Sequence, residues 1–588
     1  MGSIWVREFT GGLDTRRLPE TTSGGVLIRA LNGHISRGGE FEKRAAFVNE
    51  YTLPVGTVGM AAAPNSLYVF GSAAAPVMPS GVLYQRLQHS NGTTALVNIL
   101  SVDLYAGKLY VVGEFQDGAI FHFYDGTRVT DWYDGRARAS FTVVNGVGGG
   151  SPSTMSSIQV NGVSIMSGAV AWPGNAEAMA TAIAAAINGA TTSPDYTAVA
   201  SGTIVSIVAA TPGAAPNGFA VTFNSINSLV IDPATGLQMA NGSDATATYQ
   251  PGPFVKTIGK KVYAVSGPNM HFSGVAAPTK WTTSTVGAGF IDMSTEASGS
   301  EELVALAKYQ NQVAVFAERL VQIWYTDPDP SLNRQSQVLN NTGTISPRSV
   351  TQFGDNDLFY LDESGLRSLR ARDSSNAAAT TDIGVPVDTL VVEKLNELDI
   401  EARQKIIGLI EPRDGRFWLI IDDTIFVFSF FNGAKVSAWS TYTASVNDGT
   451  TETVFSIDDA VVFRRRVYIR TGDKIMSFGG RGNEVQYDDT VAEAWLPYLD
   501  ADAPTREKNF TGVDAAVRGV WQIAAAMQPT DLTAEDQVAV VTETTFNHDG
   551  IPGIGDATHL SLRFRSSGSE YAKLASAVIH YEGDLNED

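Results

Sequence analysis

The sequence predicts a mainly β protein: a β-propeller interrupted by a small inserted α+β domain and followed by a C-terminal β-rich domain. Three observations carry the prediction. A hairpin of two short β-rich runs recurs along the chain, residues 139–250 break with the composition around them, and beyond about residue 480 the hairpin rhythm stops while acidic residues accumulate. At 588 residues the chain exceeds the roughly 250–300 that one hydrophobic core supports, so about two to four domains are expected.

The recurring unit is a run rich in β-branched and aromatic residues, a turn containing Gly, Asp or Asn, and a second such run that often leads to an aromatic. It occurs seven times: at 65–70 with 82–84, 107–112 with 119–125, 259–265 with 270–272, 312–316 with 320–325, 357–361 with 365–369, 416–421 with 424–428, and 466–469 with 474–478. With 139–250 set aside, the spacing is roughly 40–50 residues, the period of a propeller blade. A pair of β-sandwiches also places short strands between turn signals. The constant order of hairpin and then aromatic, as at Trp132, Trp281 and Trp439, favours the propeller, because such a ring fills the wedge between tilted blade sheets.

Residues 139–250 contain no Lys or Arg, and their only charges are Glu177, Asp195, Asp232 and Asp244. Within them 156–160, the pair Asn161-Gly162 and 163–165 spell a strand, a tight hairpin turn and a second strand. Residues 174–188 place Met179, Ile183 and Ile187 on one face of an Ala-rich helix that Asn188-Gly189 stops. Further strands at 196–199, 204–208 and 219–223 complete one helix on a sheet. A second helical stretch, 387–406, has Leu390, Val391, Lys394, Leu395 and Leu398 on one side and reads as a connector between blades. The boundaries that follow are 1–50 for an N-terminal segment joining the platform beside the propeller, 51–138 and 251–480 for the propeller, 139–250 for the insert and 481–588 for the C-terminal domain. In the last of these, 513–520, 537–544, 559–564 and 577–581 read as strands, and 582–588 reads as a frayed acidic tail.

Composition narrows the chemistry. The chain has no cysteine, so it has no disulfide, thiolate nucleophile or Cys-ligated metal. Its opening residues lack the charged and apolar regions of a secretory signal, and no run reaches the roughly 18–20 apolar residues of a membrane span. A net charge of −21 opposes tight binding to a phosphate backbone, which depends on Lys and Arg displacing counterions. Of that charge −12 falls in 481–588 and −4 in the insert, which leaves −5 for the rest of the chain.

No catalytic, cofactor or metal residue is assigned. The seven histidines, His34, His89, His122, His271, His548, His559 and His580, never form the close pairs of helical zinc motifs, and His122 and His580 alternate with apolar residues as structural side chains do. The glycine run at 145–151 lacks the spacing and following helix of a phosphate cradle and reads as a linker into the insert. Residues 327–330, Asp-Pro-Asp-Pro, read as a turn rather than a calcium loop. The acidic pairs Asp422-Asp423, Asp458-Asp459 and Asp488-Asp489 could serve as general acid and base, yet neighbours on a strand face opposite ways, and solvated turns are the better reading.

Two groups of segments carry a resemblance. The first is Phe9-Thr-Gly-Gly-Leu-Asp14, then Gly25-Val-Leu-Ile-Arg-Ala-Leu-Asn32, then Gly38-Gly-Glu-Phe-Glu-Lys-Arg-Ala-Ala-Phe47. The second, more specific, is Phe316-Ala-Glu-Arg-Leu-Val-Gln-Ile-Trp-Tyr325, then Gly343-Thr-Ile-Ser-Pro-Arg-Ser-Val350, then Asp357-Leu-Phe-Tyr-Leu-Asp-Glu-Ser-Gly-Leu-Arg367. Together they resemble the tail nozzle proteins of short-tailed bacteriophages (podoviruses), also called tail tubular protein B, with a related group called DNA stabilisation or stopper proteins. The resemblance covers most of residues 1–480 and is loose beyond. It implies a structural virion protein of the tail, assembled in the host cytoplasm, with no catalytic residues and no cofactor. It further implies a homo-hexameric ring below the tail adaptor and portal, with tail fibres or a needle nearby, that retains packaged DNA and then passes it without tight binding. The alternative from the residues is a carbohydrate-binding or glycan-cleaving propeller for host recognition, with Trp132, Trp281 and Trp439 stacking on sugars. A passive scaffold or cell-surface adhesion protein is a third reading.

Overall fold

Seven small sheets, each containing one of the seven paired runs after an inner strand that precedes it, close around a common axis. The computed structural model describes residues 2–74, 76–131, 136–211, 213–240, 242, 252–282, 285–294, 301–354, 357–371, 378–546 and 551–583. The innermost strands are Val58–Ala62, Leu96–Tyr105, Phe254–Ile258, Leu303–Tyr309, Thr351–Phe353, Ile407–Glu411 and Asp459–Phe463. Each lies beside the next, and the last lies beside the first, which closes a seven-bladed propeller. We number the blades 1 to 7 in that order. Blades 2 to 6 are four-stranded meanders, and blade 1 has three strands, of which Val82–Arg86 runs parallel to Leu67–Gly71.

Blade 7 takes its fourth, outermost strand, Phe47–Thr52, from the chain ahead of blade 1, with Thr52 opposite Lys474 and Phe47 opposite Phe478. Local hydrophobic pattern does not encode this closure. It corrects the 1–50 boundary, since 47–50 belong to the propeller. Strands inside the blades are covered on both faces: Arg416–Ile421 is buried at every position. Aromatic rings fill the wedges between blades. Trp281 lies 6.4 Å from Tyr110 between blades 2 and 3, Phe316 5.1 Å from Tyr360 between 4 and 5, Phe359 5.2 Å from Phe417 between 5 and 6, and Trp418 4.8 Å from Phe478 between 6 and 7.

The insert follows blade 2 and leaves the inner strands of blades 2 and 3 in contact. Its helix Ala176–Asn188 is capped by Asn175, whose side chain accepts from the Ala178 amide, and it buries Met179, Ile183 and Ile187. Asn161 and Gly162 make the hairpin turn with φ of 51° and 82°, a pair of left-handed residues that matches strand twist. Two four-stranded sheets, not one, surround this core. The stretch 387–406 forms two helices, Asp388–Glu397 and Ile400–Gln404, because Asp399 caps a new helix by accepting from the Ala402 amide.

Residues 481–588 do not fold apart from the rest. Gly2–Val6 pairs with Lys573–Gly583, and Phe41–Lys43 pairs with the same strand. Arg29–Leu31 pairs with Ala492–Trp495 on one side and bridges the outer strand of blade 6, Val436–Thr443, on the other. Both ends of the chain thus build one platform, in a 16-stranded sheet continuous with blade 6. Its spine is the 19-residue strand Lys508–Ala526. Glu582 and Gly583 pair with Asn509 and Lys508, so they belong to the sheet and not to a frayed tail; 584–588 lie outside the described residues.

Arg44 locks the platform to the propeller. The fully buried guanidinium donates to Ser445 O at 2.8 Å, Thr490 Oγ1 at 3.0 Å, Ala45 O at 2.9 Å and Asn32 Oδ1 at 3.2 Å, with Asp488 at 3.8 Å. A buried charge is tolerated when its donors are all directed in this way.

Candidate functional site: the propeller axis

The seven inner strands enclose an axial cavity of about 390 Å³, to which every blade contributes, from Met60 in blade 1 through Ile99, Val255, Leu306, Val350 and Gly408 to Ala460 in blade 7. That is the size of a small-molecule pocket. Beside it lies a second hollow of about 540 Å³, here called the mouth, which shares Arg348 and Asp459 with the axial cavity and is also lined by Glu114, Glu401, Lys405, Asp458 and Arg470.

The linker from blade 4 to blade 5, Gly343-Thr-Ile-Ser-Pro-Arg-Ser-Val350, builds this mouth. Thr344, Ser346 and Ser349 are buried, and each hydroxyl has work to do. Ser346 Oγ donates to Arg403 O at 2.6 Å, Ser349 Oγ donates to Ser346 O at 2.7 Å and accepts from the Leu361 amide, and Thr344 Oγ1 accepts from the Ser346 amide. Gly343 is required by close approach: a Cβ there would stand 2.2 Å from Ala317 O. The tied linker aims Arg348 at Asp459, where its Nη2 donates to Oδ1 at 2.8 Å. Arg470 flanks the other oxygen at 3.5 Å and donates to Thr57 O, ahead of blade 1. Burial pushes the Asp459 carboxyl above its ordinary range, against the pull of Arg348 and Arg470. Farther along the cavity Asp103 accepts from the Thr257 amide at 2.6 Å and pairs with Lys256 at 3.5 Å.

Each carboxylate lining the axial cavity is therefore held by cations. Asp458 and Asp459 do not converge as an acid and base: Asp458 accepts from the Gly472 amide, while Asp459 is buried in its arginine pair. This corrects the reading of Asp459 as a solvated turn residue, and Asp488, buried beside Arg44, is a second correction. Asp422 sits in a hairpin turn at φ 55°, and Asp423 pairs with Lys394.

The remaining candidates fall into structural places. His122 Nε2 donates to Gly252 O at 2.8 Å, His34 Nδ1 accepts from the Tyr442 hydroxyl at 2.6 Å, and His271 stacks on Phe290. His89 and His580 lie beside Asp117 and Asp514, and His559 meets the Thr558 hydroxyl. His548 and Trp132 lie outside the described residues. Among the described residues no three His, Asp or Glu side chains gather in a way that could hold a metal ion, and no helix is long and apolar enough to cross a membrane. The glycine run at 145–151 links two strands within the insert, Arg138–Asn145 and Thr154–Val160, rather than leading into it. Asp329 caps the short turn Pro330–Leu332. Trp281 and Trp439 are buried; Trp439 stacks on Phe428 at 4.7 Å and donates to Ile383 O, so neither offers a face to a sugar.

Fold and site define a seven-bladed propeller with a small, charged axial cavity and a platform made by both chain ends. No family model matches the chain, and no curated protein matches it. Among solved structures it is similar to a computationally designed protein, Ika8, at 10% identity and TM-score 0.27, covering 77% of this chain and 99% of that one. It is also similar to Hsv2 of Kluyvelomyces marxianus (8% identity, TM-score 0.23, 49% of this chain and 68% of that) and to an exo-beta-1,3-galactanase from Phanerochaete chrysosporium (10%, 0.21, 84% and 98%). Similarities this distant carry no argument about function.

Proposed function

We propose that the chain is a structural virion protein, the tail nozzle subunit of a short-tailed bacteriophage. Six copies form a ring at the distal end of the tail, below the adaptor and portal, that retains packaged DNA and then passes it. The observation that carries this reading is the motif at 343–350 together with the segments on either side of it. They resemble the nozzle proteins in sequence, and in this fold the motif is the linker that fixes Arg348 beside Asp459.

The cavity dimensions add a constraint to the reading. A cavity of about 390 Å³ is the size of a small-molecule pocket, too small to hold a duplex whose major groove alone is about 12 Å wide, so in this reading the DNA path runs between subunits and not along the propeller axis. A ring requires head-to-tail contacts that close by rotation. A wall that passes DNA works best when it offers phosphates no cations, in keeping with a chain of charge −21. Electron microscopy of the purified protein and of particles tests the reading: a six-membered ring at the distal tail is expected, and particles whose distal tail lacks a ring containing this chain would overturn it.

A further inference from the structure

The platform ends in an open sheet edge. Asp536–Glu543 pairs on one side with Lys508–Ala526, and among the described residues nothing pairs with its other side. Open edges are templates for strand addition, and proteins blunt them with Pro, charged side chains, bulges or short length. Several other edges of this molecule are blunted. Ile551–Ala557, along the same spine strand, contains Pro552, Gly553 and Gly555, and the outermost strands of blades 2, 3 and 5 have two, four and five residues. Asp536–Glu543 has eight residues, Asp-Gln-Val-Ala-Val-Val-Thr-Glu, with no Pro, Gly or Lys, and its charges stand only at the two ends. Its pairing with the spine strand has two irregularities; the one with an extra residue at Val538 lets Val538 and Val541 both pack on the platform core and leaves Val540 57% exposed.

The charges choose the occupant. Antiparallel pairing of this edge with its counterpart in a second copy sets Asp536 opposite Glu543 at both ends, and parallel pairing sets like residue beside like; both arrangements are repulsive. The edge thus rejects itself while offering an apolar centre and a free row of backbone groups. A strand with Lys or Arg at both ends complements it. No open-edge strand among the described residues of this chain has that pattern: Arg334–Asn340 and Val82–Arg86 each carry a base at one end only.

We propose that Asp536–Glu543 is a docking edge for an extended strand of a different protein, apolar at its centre and basic at both ends, which joins the platform sheet by β-augmentation. The proposal is independent of the ring: it needs one folded copy.

The probe is a labelled synthetic peptide, Lys-Thr-Val-Thr-Val-Thr-Val-Lys, titrated with the full chain by fluorescence anisotropy. The comparison peptides have Glu at both ends or Pro at the centre. The basic-ended peptide is expected to bind and to slow amide exchange at 536–543, and both comparison peptides are expected to bind at least about tenfold more weakly. Val540→Lys weakens binding by a similar factor with an unchanged unfolding curve, and Asp536→Lys with Glu543→Lys transfers preference to the acid-ended peptide. The charge-reversed variant decides the matter should Val540→Lys fail to fold. Failure of the basic-ended peptide to bind at millimolar concentration, equal binding of all three peptides, unchanged preference after charge reversal, or dimerisation of the wild-type chain through this edge would each overturn the proposal.

Discussion

Arg348, in the linker ahead of blade 5, reaches past blade 6 to donate a 2.8 Å hydrogen bond to Asp459, the first residue of the inner strand of blade 7. Through Arg470 the same carboxylate is linked to Thr57, ahead of blade 1. One buried carboxylate therefore ties together three parts of the ring that do not follow one another in sequence.

Removing Arg348 leaves that carboxylate with one partner in a site that already penalises its charge. Arg348→Ala is expected to destabilise the chain by about 3 kcal/mol, the usual cost of breaking a buried pair. Asp459→Asn added to it should restore part of the loss. Urea denaturation of the two single variants and the double variant measures the coupling, and strict additivity would show that the pair is not a tie.

Gly343 tests the linker without touching a charge. A methyl group at this position meets Ala317 O at 2.2 Å and Glu318 O at 2.5 Å, so Gly343→Ala must displace backbone. A loss of about 1–3 kcal/mol is expected. Gly168→Ala, which meets nothing within 4 Å, should stay within about 0.5 kcal/mol of wild type.

Acid should weaken the seam between blades 2 and 3. Burial lowers the His122 pKa to about 4, against the bond to Gly252 O, which favours the charged form. Between pH 6.5 and 4 the unfolded chain binds this proton and the native chain does not, so stability falls as pH drops through that window. The slope from this group is about 1.4 kcal/mol per pH unit where fully expressed. His271, lowered to about 3, acts in the same direction. Unfolding free energies at pH 7 and pH 4.5 should converge in His122→Gln relative to wild type; an identical pH slope in the two proteins would contradict the assignment.

The nozzle reading predicts indifference to DNA. Titration of a labelled 30-base-pair duplex with the purified chain at low salt should give no saturable binding, because phosphate contacts of the usual strength need several Lys or Arg side chains free to displace counterions. Salt-sensitive binding would place cations on the DNA path and overturn the conduit argument.

Much of this was legible in the chain because its cause is local. The seven paired runs announce themselves by β-branched and aromatic content and by turn residues, and each lies in a different blade; six are antiparallel hairpins, whereas 65–70 and 82–84 pair in parallel. The Asn161-Gly162 turn and the Ala176–Asn188 helix were readable for the same reason: φ preference and side-chain period act within a few residues. The opposite case is Asp458-Asp459. Two adjacent acids look like a solvated turn until Arg348, 111 residues away, arrives at one of them.

The sequence by itself determined the sevenfold recurrence of a central strand pair, the helix and hairpin turn within 139–250 and the concentration of negative charge in 139–250 and 481–588. Tertiary structure alone decided that Phe47–Thr52 closes blade 7, that residues from both ends make one platform continuous with blade 6, and that Asp459 and Asp488 are buried. The physical reason is the range of the forces involved. Strand propensity and turn geometry are set by neighbours, whereas the choice of pairing partner is set by which distant edge is still open and which apolar face is still uncovered when the ring closes.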